Sequence, residues 1–501
     1  MVQKSSVNNY LFYLAVIIIC GIYLFFRLTF PDTIEFGYDQ PRLAMTAIDF
    51  VKGGNFIDSQ KFSLESPWGN LSWGPALIYI NAFFVLISKN PIIISYAVIF
   101  FNLTSIILVI FIGKEFISKK TGILSGLILA VHPWWIIFSR MIYQPSIVPT
   151  LVVISMYCLF KSIRKPGSFW AAFLYLTWGV LLQTYLITAS FVVTSFLILI
   201  YKIRLKIFGL KSVILGFLLN LVIFVPSIKY YIDNPELFRR FFEAKNKFIS
   251  PFPDVFKNFL EMVSGRGFYW QLGYGYKDFL NSFANYEILS SVVLVALVIL
   301  IILGILFGFL KKNYYVISIS FLLFCPLWVI PFVGVEKIVP RYFLFILPFV
   351  SILLSYCLEN LSIKFNSKIL YIPFALVLLF WSYFSFKYNK FILNYKYGNG
   401  FLSNYSDVPY SFLDRSFRWI LEDSKNKEYS EITVSNNPQS PFRFSFNRAQ
   451  TYYWEYYLNK KQAVSGSGKV GHYLMYFSPA VGILKSKEFG PYVVSEAKLK
   501  N

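Results

Sequence analysis

The chain is poor in charge. Asp, Glu, Lys and Arg make up 14% of its 501 residues, well below the roughly 25% of a typical soluble domain. Acidic residues are scarcest, 25 against 47 basic, which leaves a formal net charge of +22. A basic balance often points to nucleic acid, but nucleic-acid binders are rich in charge and this chain is not. Histidine occurs twice, at His132 and His472, which limits transition-metal chemistry. Four cysteines, Cys20, Cys158, Cys325 and Cys357, all sit inside apolar runs, where cysteine behaves as a small hydrophobe. Their spacing suggests neither a disulfide framework nor a zinc site. What is abundant is apolar: 56% of residues are hydrophobic and 20% aromatic. That content excludes disorder, and the length of the apolar runs excludes an ordinary soluble enzyme. The sequence reads as an α-helical polytopic membrane protein.

The first apolar run, Tyr10 to Thr29, is long enough to span a bilayer, for which about twenty residues are needed. Phe30-Pro31-Asp32 follows in place of a small-x-small cleavage site, so a retained first helix is expected rather than a removed signal. Further windows cover 92–113, 121–138, 145–160, 169–185, 186–202, 212–231, 286–310, 314–333, 341–358 and 369–386. The run Pro75 to Ser88 is too short to span and is expected to lie in the interface. Short basic loops fall at Lys114–Lys120, Lys161–Lys165, Lys202–Lys211, Lys311-Lys312 and Lys364–Lys368. Placing all of them in the cytoplasm satisfies the positive-inside rule with even helix counts between them. The expectation is about eleven spans in a cell (plasma) membrane protein, with the N-terminus inside and the C-terminus outside.

Three pieces then face outward and are large enough for chemistry. The first outer loop, 30–91, carries Asp32, Glu35, Asp39, Asp49, Asp58 and Glu65. Within it Asp39 precedes Gln40-Pro41, an N-cap with an early proline, and Gly53-Gly54 ends the short helix. The second, 232–285, mixes aromatics with seven basic residues. The third reads as a small extracytoplasmic α/β domain over 391–501, set apart from a membrane domain over 1–390. Its expected elements are a helix over 411–423, a strand at Glu431–Ser435, a helix near 444–458 and a strand at Tyr473–Phe477. Ser465-Gly466-Ser467-Gly468-Lys469 looks like a phosphate loop, but Ala463 and Val470 break the pattern and it reads as a turn.

Charged residues are missing at mid-depth, where ion-coupled transporters keep them, and no tandem repeat is evident. Asn102 and Asn220 read as helix-packing contacts. Polar and aromatic clusters gather instead at outward helix ends: His132-Pro133-Trp134-Trp135, Ser139-Arg140 with Tyr143-Gln144-Pro145, Gln183-Thr184-Tyr185, and Pro340-Arg341-Tyr342. Each has a plainer reading. The tryptophans and tyrosines fit an interfacial aromatic belt, Arg140 and Arg341 fit snorkelling anchors, Asp39 fits a helix cap, and His132 fits a packed core histidine. Yet outward arginines run against the inward bias of basic residues and invite an anionic ligand.

At these residues the sequence resembles the GT-C polytopic glycosyltransferases, in particular the family 39 and Rgt-like branch related to protein mannosyltransferases and aminoarabinose transferases. The signatures are Phe36-Gly37-Tyr38-Asp39-Gln40-Pro41-Arg42, Trp73-Gly74-Pro75-Ala76-Leu77-Ile78-Tyr79, Ser139-Arg140 with Tyr143-Gln144-Pro145, Gln183-Thr184-Tyr185, and Pro340-Arg341-Tyr342 to Pro348. The resemblance covers about residues 10–390. It implies a sugar donor on a polyprenyl phosphate, reaction on the non-cytoplasmic face and Asp39 as the catalytic residue. Relatives often carry an acid after this Asp and paired prolines at the interfacial helix, where this chain has Gln40 and Gly74-Pro75.

A polyprenyl phosphate is already a good leaving group, so the site needs a base for the acceptor hydroxyl and cations for the phosphate. Asp39 is the expected base, with inversion at the anomeric carbon. Arg341 and Arg140 are the expected phosphate ligands, since paired donors favour Arg. Tyr342, Tyr143, Gln144, Gln183, Tyr185 and His132 would shape the pocket. The expected activity is hexosyl or pentosyl transfer, with membrane lipid as surroundings, no nucleic-acid partner, and an acceptor among protein, glycolipid and cell-wall glycan. No certain cofactor follows, though a divalent metal is compatible with the chemistry. The alternatives are a lipid-linked saccharide transporter and an envelope glycan polymerase or ligase.

Overall fold

In the computed structural model the chain is described over residues 2–36, 39–62, 74–166, 168–203, 210–237, 239, 251–283, 285–333, 338–394, 410–427, 431–436, 452, 470–477, 486–489 and 492–496. Gly37-Tyr38, Glu65, Trp73, the Ser465–Lys469 turn and all of the expected 444–458 helix but Tyr452 lie outside the described residues.

The apolar windows are built of helix, with one break at His132. Helix α1 is Val2–Leu28, α2 Asp39–Gly53, α3 Ala76–Ile87, α4 Pro91–Phe116, α5 Lys119–Val131, α6 Pro133–Phe138, α7 Gln144–Arg164, α8 Phe169–Thr184, α9 Ala189–Ile203 and α10 Leu210–Asp233. The chain continues through α11 Phe252–Ser264, α12 Tyr269–Leu272, α13 Tyr276–Ser282, α14 Tyr286–Leu310, α15 Tyr314–Val329, α16 Leu347–Lys364, α17 Tyr371–Asn394 and α18 Tyr410–Asn426. Among the described residues seven helical stretches are long and apolar enough to cross a membrane, and Ala76–Ile87, Phe169–Thr184, Leu186–Tyr201 and Tyr314–Val329 are apolar but shorter. This is a multi-pass membrane protein.

The window 121–138 is not one helix. His132 adopts an extended backbone, φ −65° and ψ 126°, between α5 and α6. Pro133 causes this: its ring disfavours the helical region for the residue before it, and then opens α6 at the position where a missing N–H costs nothing. Helix α3 spans twelve residues, about 18 Å at 1.5 Å per residue, against a hydrocarbon core of about 30 Å.

Burial separates inner from outer helices. The α16 stretch Pro340–Lys364 and helix α7 are 89% and 78% buried over their most apolar windows, whereas α14 is 28% buried. Along α14, Val293, Leu297, Ile301, Gly304 and Gly308 face inward while Val292, Val295, Ile299, Ile302 and Leu306 are bare. A helix apolar all round with one such bare face fits hydrocarbon rather than water. Helix α4 begins with Asn90 accepting a hydrogen bond from Ile92 N at 2.9 Å and Pro91 in the first turn. It meets α5 through Gly113 and Gly122, so close that a Cβ on Gly113 would lie 2.3 Å from Gly122 Cα; small residues permit such approach in membranes. The polar residues of these helices bond across interfaces. Asn102 donates to Ser139 O at 3.0 Å and accepts from Thr150 Oγ1 at 2.6 Å, and Asn220 donates to Tyr175 O at 2.8 Å.

Past α17 the chain forms α18 and a four-stranded sheet: β1 Glu431–Asn436, β2 Val470–Phe477, β3 Ser486–Phe489 and β4 Tyr492–Glu496, in the order β1-β2-β4-β3. β1 pairs parallel to β2, and the other pairs are antiparallel. Asp423 of α18 accepts from Tyr473 Oη of β2 at 2.7 Å, tying helix to sheet. This region also reaches back to the segment between α1 and α4. Tyr410 N donates to Ile34 O at 2.8 Å, Ser411 Oγ to Asp32 O at 2.8 Å, and Tyr452 Oη to Lys89 O at 2.7 Å. The Phe36 ring lies 4.8 Å from that of Tyr452 and 6.0 Å from that of Tyr410.

Candidate active site

Arg341 stands in a seven-residue 3-10 turn, Pro340–Ile346, that leads into α16. Val339 is extended because proline follows it. Pro348 has no N–H to give the Leu344 carbonyl, and Leu347 N takes that carbonyl instead, so the turn stays tight. Runs of this length are uncommon, and this one presents Arg341 and Tyr342 partly exposed on otherwise buried backbone.

The turn packs on the start of α7, where Tyr143 precedes Gln144-Pro145. The Arg341 guanidinium carbon lies 5.5 Å from the centre of the Tyr143 ring and 6.0 Å from that of Tyr342. Such contacts orient a guanidinium. The Tyr342 ring meets Tyr185 edge-on at 6.2 Å. The residues flagged in three separate sequence segments therefore gather around one arginine.

Asp39 is the first residue of α2 and partly exposed, and Gln40 beside it is buried at 4% exposure. Gln40 Nε2 contacts Met141 Sδ at 3.9 Å. Met141 belongs to the same short segment as Tyr143, so the start of α2 rests on the segment that carries one wall of the arginine cluster. From the other side, Gly74 leans on Gln183; a Cβ there would lie 2.4 Å from Gln183 Cβ. Gln183 donates to Ile223 O at 2.9 Å, two residues before Tyr185. Beside it lies a groove of about 640 Å³, whose lining includes Gly74, Gln183, Leu186, Phe224, Ile228 and Tyr231. Its walls are mostly apolar, and Ser227 at its edge donates to Gln60 Oε1 at 2.8 Å.

Two flagged residues sit differently. Arg140 is 2% exposed, donating from Nη1 to Phe30 O at 3.2 Å and from Nη2 to Asn389 Oδ1 at 2.8 Å. Asn389 Oδ1 also accepts from Thr33 Oγ1 at 2.5 Å. Burial lowers the pKa of this guanidinium, and the charge of buried Glu35 counters that. Arg140 thus joins Phe30 to Asn389 of α17, and Thr33 at the other end of the segment bonds to the same Asn389 oxygen. His132 is fully buried at the α5–α6 break, with Nε2 3.2 Å from Val263 O and its ring edge-on to Trp381 at 4.6 Å. Trp134 and Trp135 are buried too, which removes them from an aromatic belt; Trp134 stacks on Phe268 at 4.5 Å and donates to Arg266 O at 2.6 Å.

The 264–268 turn that these groups grip positions the Pro340 turn. Gly265 and Gly267 have φ +78° and +85°, and a Cβ on Gly267 would stand 2.8 Å from Pro340 Cγ. Glu261, at the end of α11, lies against this turn, and burial raises its carboxyl pKa despite nearby Lys257 and Arg266. Sequence reasoning missed Arg27. It is fully buried at the C-terminal end of α1 and donates to Ser139 Oγ at 2.6 Å, Ala130 O at 2.9 Å and Tyr23 O at 3.0 Å. It shares with Arg140 and Arg341 the one signal available, an arginine at an outward helix end. Among the described residues no three His, Cys, Asp or Glu side chains are grouped to hold a metal.

No family model and no curated protein matches the sequence. Solved structures do match in fold. ArnT from Cupriavidus metallidurans bound to undecaprenyl phosphate superposes with a TM-score of 0.52 at 12% identity, covering 98% of each chain. Its apo form gives 0.51 at 14% identity with the same coverage. The archaeal oligosaccharyltransferase AglB from Archaeoglobus fulgidus, in complex with an inhibitory peptide and a dolichol-phosphate, gives 0.50 at 13% identity, covering 94% of this chain and 70% of that one. The fold is GT-C.

Proposed function

We propose that the protein is a membrane glycosyltransferase that moves a sugar from a polyprenyl-phosphate donor to an acceptor on the extracytoplasmic face. The observation that carries this reading is the convergence of Arg341, Tyr143, Tyr342 and Tyr185 next to an apolar groove, with the Asp39 helix resting on the Tyr143 segment. A charged, aromatic-walled point beside an apolar groove suits a ligand with a phosphate head and a hydrocarbon tail. The undecaprenyl phosphate named with the ArnT structure is such a ligand. The sequence signatures favour the family 39 and Rgt-like branch, eleven spans with the basic loops inside, and residues 391–501 as an outward domain.

In the proposed reaction the acceptor hydroxyl attacks the anomeric carbon as the bond from that carbon to the phosphate oxygen breaks. Asp39 takes the hydroxyl proton, the polyprenyl phosphate leaves with the bonding pair, and the configuration inverts. Arg341 holds the phosphate as its charge builds, where a fixed donor outperforms water. A retaining pair would need a second carboxylate facing the first. Gln183 and Tyr185 bound the path between phosphate and groove. Arg140 serves in this reading as a strap on the loop that carries Asp39.

The test is transfer of labelled sugar from synthetic polyprenyl-phosphate donors by purified variants. Asp39→Asn is expected to lower the rate at least about a hundredfold, the scale of general-base loss, with donor binding retained. Arg341→Lys should weaken donor binding about ten- to a hundredfold, the worth of a charged hydrogen bond. Near wild-type transfer by a well-folded Asp39→Asn protein would end the assignment of the base.

A further inference from the structure

A second cleft lies far from the arginine cluster. It is walled by the C-terminal half of α9 and by the α14–α15 hairpin, and has a volume of about 650 Å³. Thr194, Ile198, Phe309, Lys312, Tyr314 and Ser318 are among its lining residues. Along α9 it extends down to Tyr201, about 18 Å from the helix start near Tyr185. It therefore sits toward the opposite membrane face.

Its mouth opens sideways. Leu197, Tyr201, Phe309 and Phe321 line it and are 48–77% exposed, which for helices of this composition means contact with hydrocarbon. A cleft with such a rim is not filled by water. Above it the hairpin turn is built from Lys311 and Lys312. Lys312 has φ +50°, its N donates to Phe309 O at 3.0 Å, and Asn313 N donates to Gly308 O at 2.9 Å. The closed turn holds Lys312 at the lip. Among the described residues neither lysine has a carboxylate partner.

An apolar cleft open to the bilayer and topped by unneutralised ammonium groups is complementary to an anionic amphiphile. We propose that it binds an anionic glycerophospholipid of the cytoplasmic leaflet, one acyl chain in the cleft and the phosphate at Lys311-Lys312. Basic pockets between helices on the cytoplasmic side are suited to such head groups. The site is separate from donor binding and would make stability and yield depend on lipid charge.

The full-length protein, purified in detergent, is titrated with phosphatidylglycerol or phosphatidylcholine and bound lipid is counted by native mass spectrometry. Phosphatidylglycerol is expected to bind at least tenfold better. The double variant Lys311→Gln/Lys312→Gln should lose about fivefold per lysine, while Ile317→Trp, which narrows the cleft, should reduce binding of either lipid. Should that variant fail to fold, the surface lysine pair still decides the matter. Equal binding of the two lipids by the wild type, or phosphatidylglycerol binding that ignores both lysines, overturns the proposal. Displacement of phosphatidylglycerol by polyprenyl phosphate from this cleft would also overturn it, by giving the cleft to the donor lipid.

Discussion

Replacing Arg140 with glutamine separates a strap from a phosphate ligand. The native guanidinium makes two hydrogen bonds, to Phe30 O and Asn389 Oδ1. Bonds from a charged donor are worth about 1.5–3 kcal/mol each, or about 3–6 kcal/mol together. Removing a buried cation recovers part of that as desolvation and relieves repulsion from Arg27, whose charge opposes it. Against this, buried Glu35 loses the cation whose charge it feels. Breaking a buried charged arrangement from one side typically costs about 3–5 kcal/mol, and we expect a value in that range. Scaling the entropy of unfolding with chain length gives a melting temperature about 3–5 °C lower. The assay is a melt of purified Arg140→Gln in one detergent, with donor affinity measured alongside. Asn389→Ala and the double variant complete a cycle, in which the two changes should combine less than additively because they break a shared bond. A melting temperature within a degree of wild type together with tenfold weaker donor binding would refute the strap and place Arg140 at the phosphate.

Two further outcomes follow from the turn beneath Pro340. Gly267→Ala forces a side chain onto a backbone at φ +85° and within 2.8 Å of Pro340 Cγ; strain of this kind costs about 1–3 kcal/mol, and donor affinity should fall with it because Arg341 follows Pro340. Unchanged melting and affinity would show that the turn yields without moving the arginine. Glu261→Gln should act in the other direction. The folded carboxyl has a raised pKa, so the unfolded chain releases its proton first and stability falls as pH rises from the unfolded value toward the folded one. The variant should therefore melt slightly higher than wild type at about pH 7 and no differently at about pH 4, and a lower melting temperature at neutral pH would contradict the sign.

The helices were legible because composition and period speak for themselves in a membrane: every apolar window but 121–138, which is broken at His132, lies on one helical stretch. The break at His132 was legible in principle, since Pro133 was in view, but a window of hydropathy averages over it. At the site, Tyr143, Arg341, Tyr342 and Tyr185 could be grouped by sidedness alone, because residues at outward helix ends share one plane. Sidedness does not distinguish a ligand from a strap, which is why Arg140 and Arg341 looked alike. Their difference comes from Asn389 and Phe30, one of them about 250 residues away, and only tertiary structure brings such partners in. Arg27 escaped for the complementary reason: at the end of an apolar helix it resembles an ordinary anchor, although its guanidinium points into the protein.

The loop that leads to Asp39 is held by residues synthesised much later. Ile34 and Asp32 accept hydrogen bonds from Tyr410 and Ser411, and Phe36 packs on Tyr452. At translation rates of about 5–20 residues per second, roughly 20–80 s separate the emergence of the loop from that of the groups that fix it. During that interval the later apolar helices emerge while the loop that leads to Asp39 lacks its clasp. Fixing of the loop before Asp39 is therefore timed by residues from 410 onward, and a ribosome that stalls before residue 410 leaves helices in the bilayer with that loop unclasped.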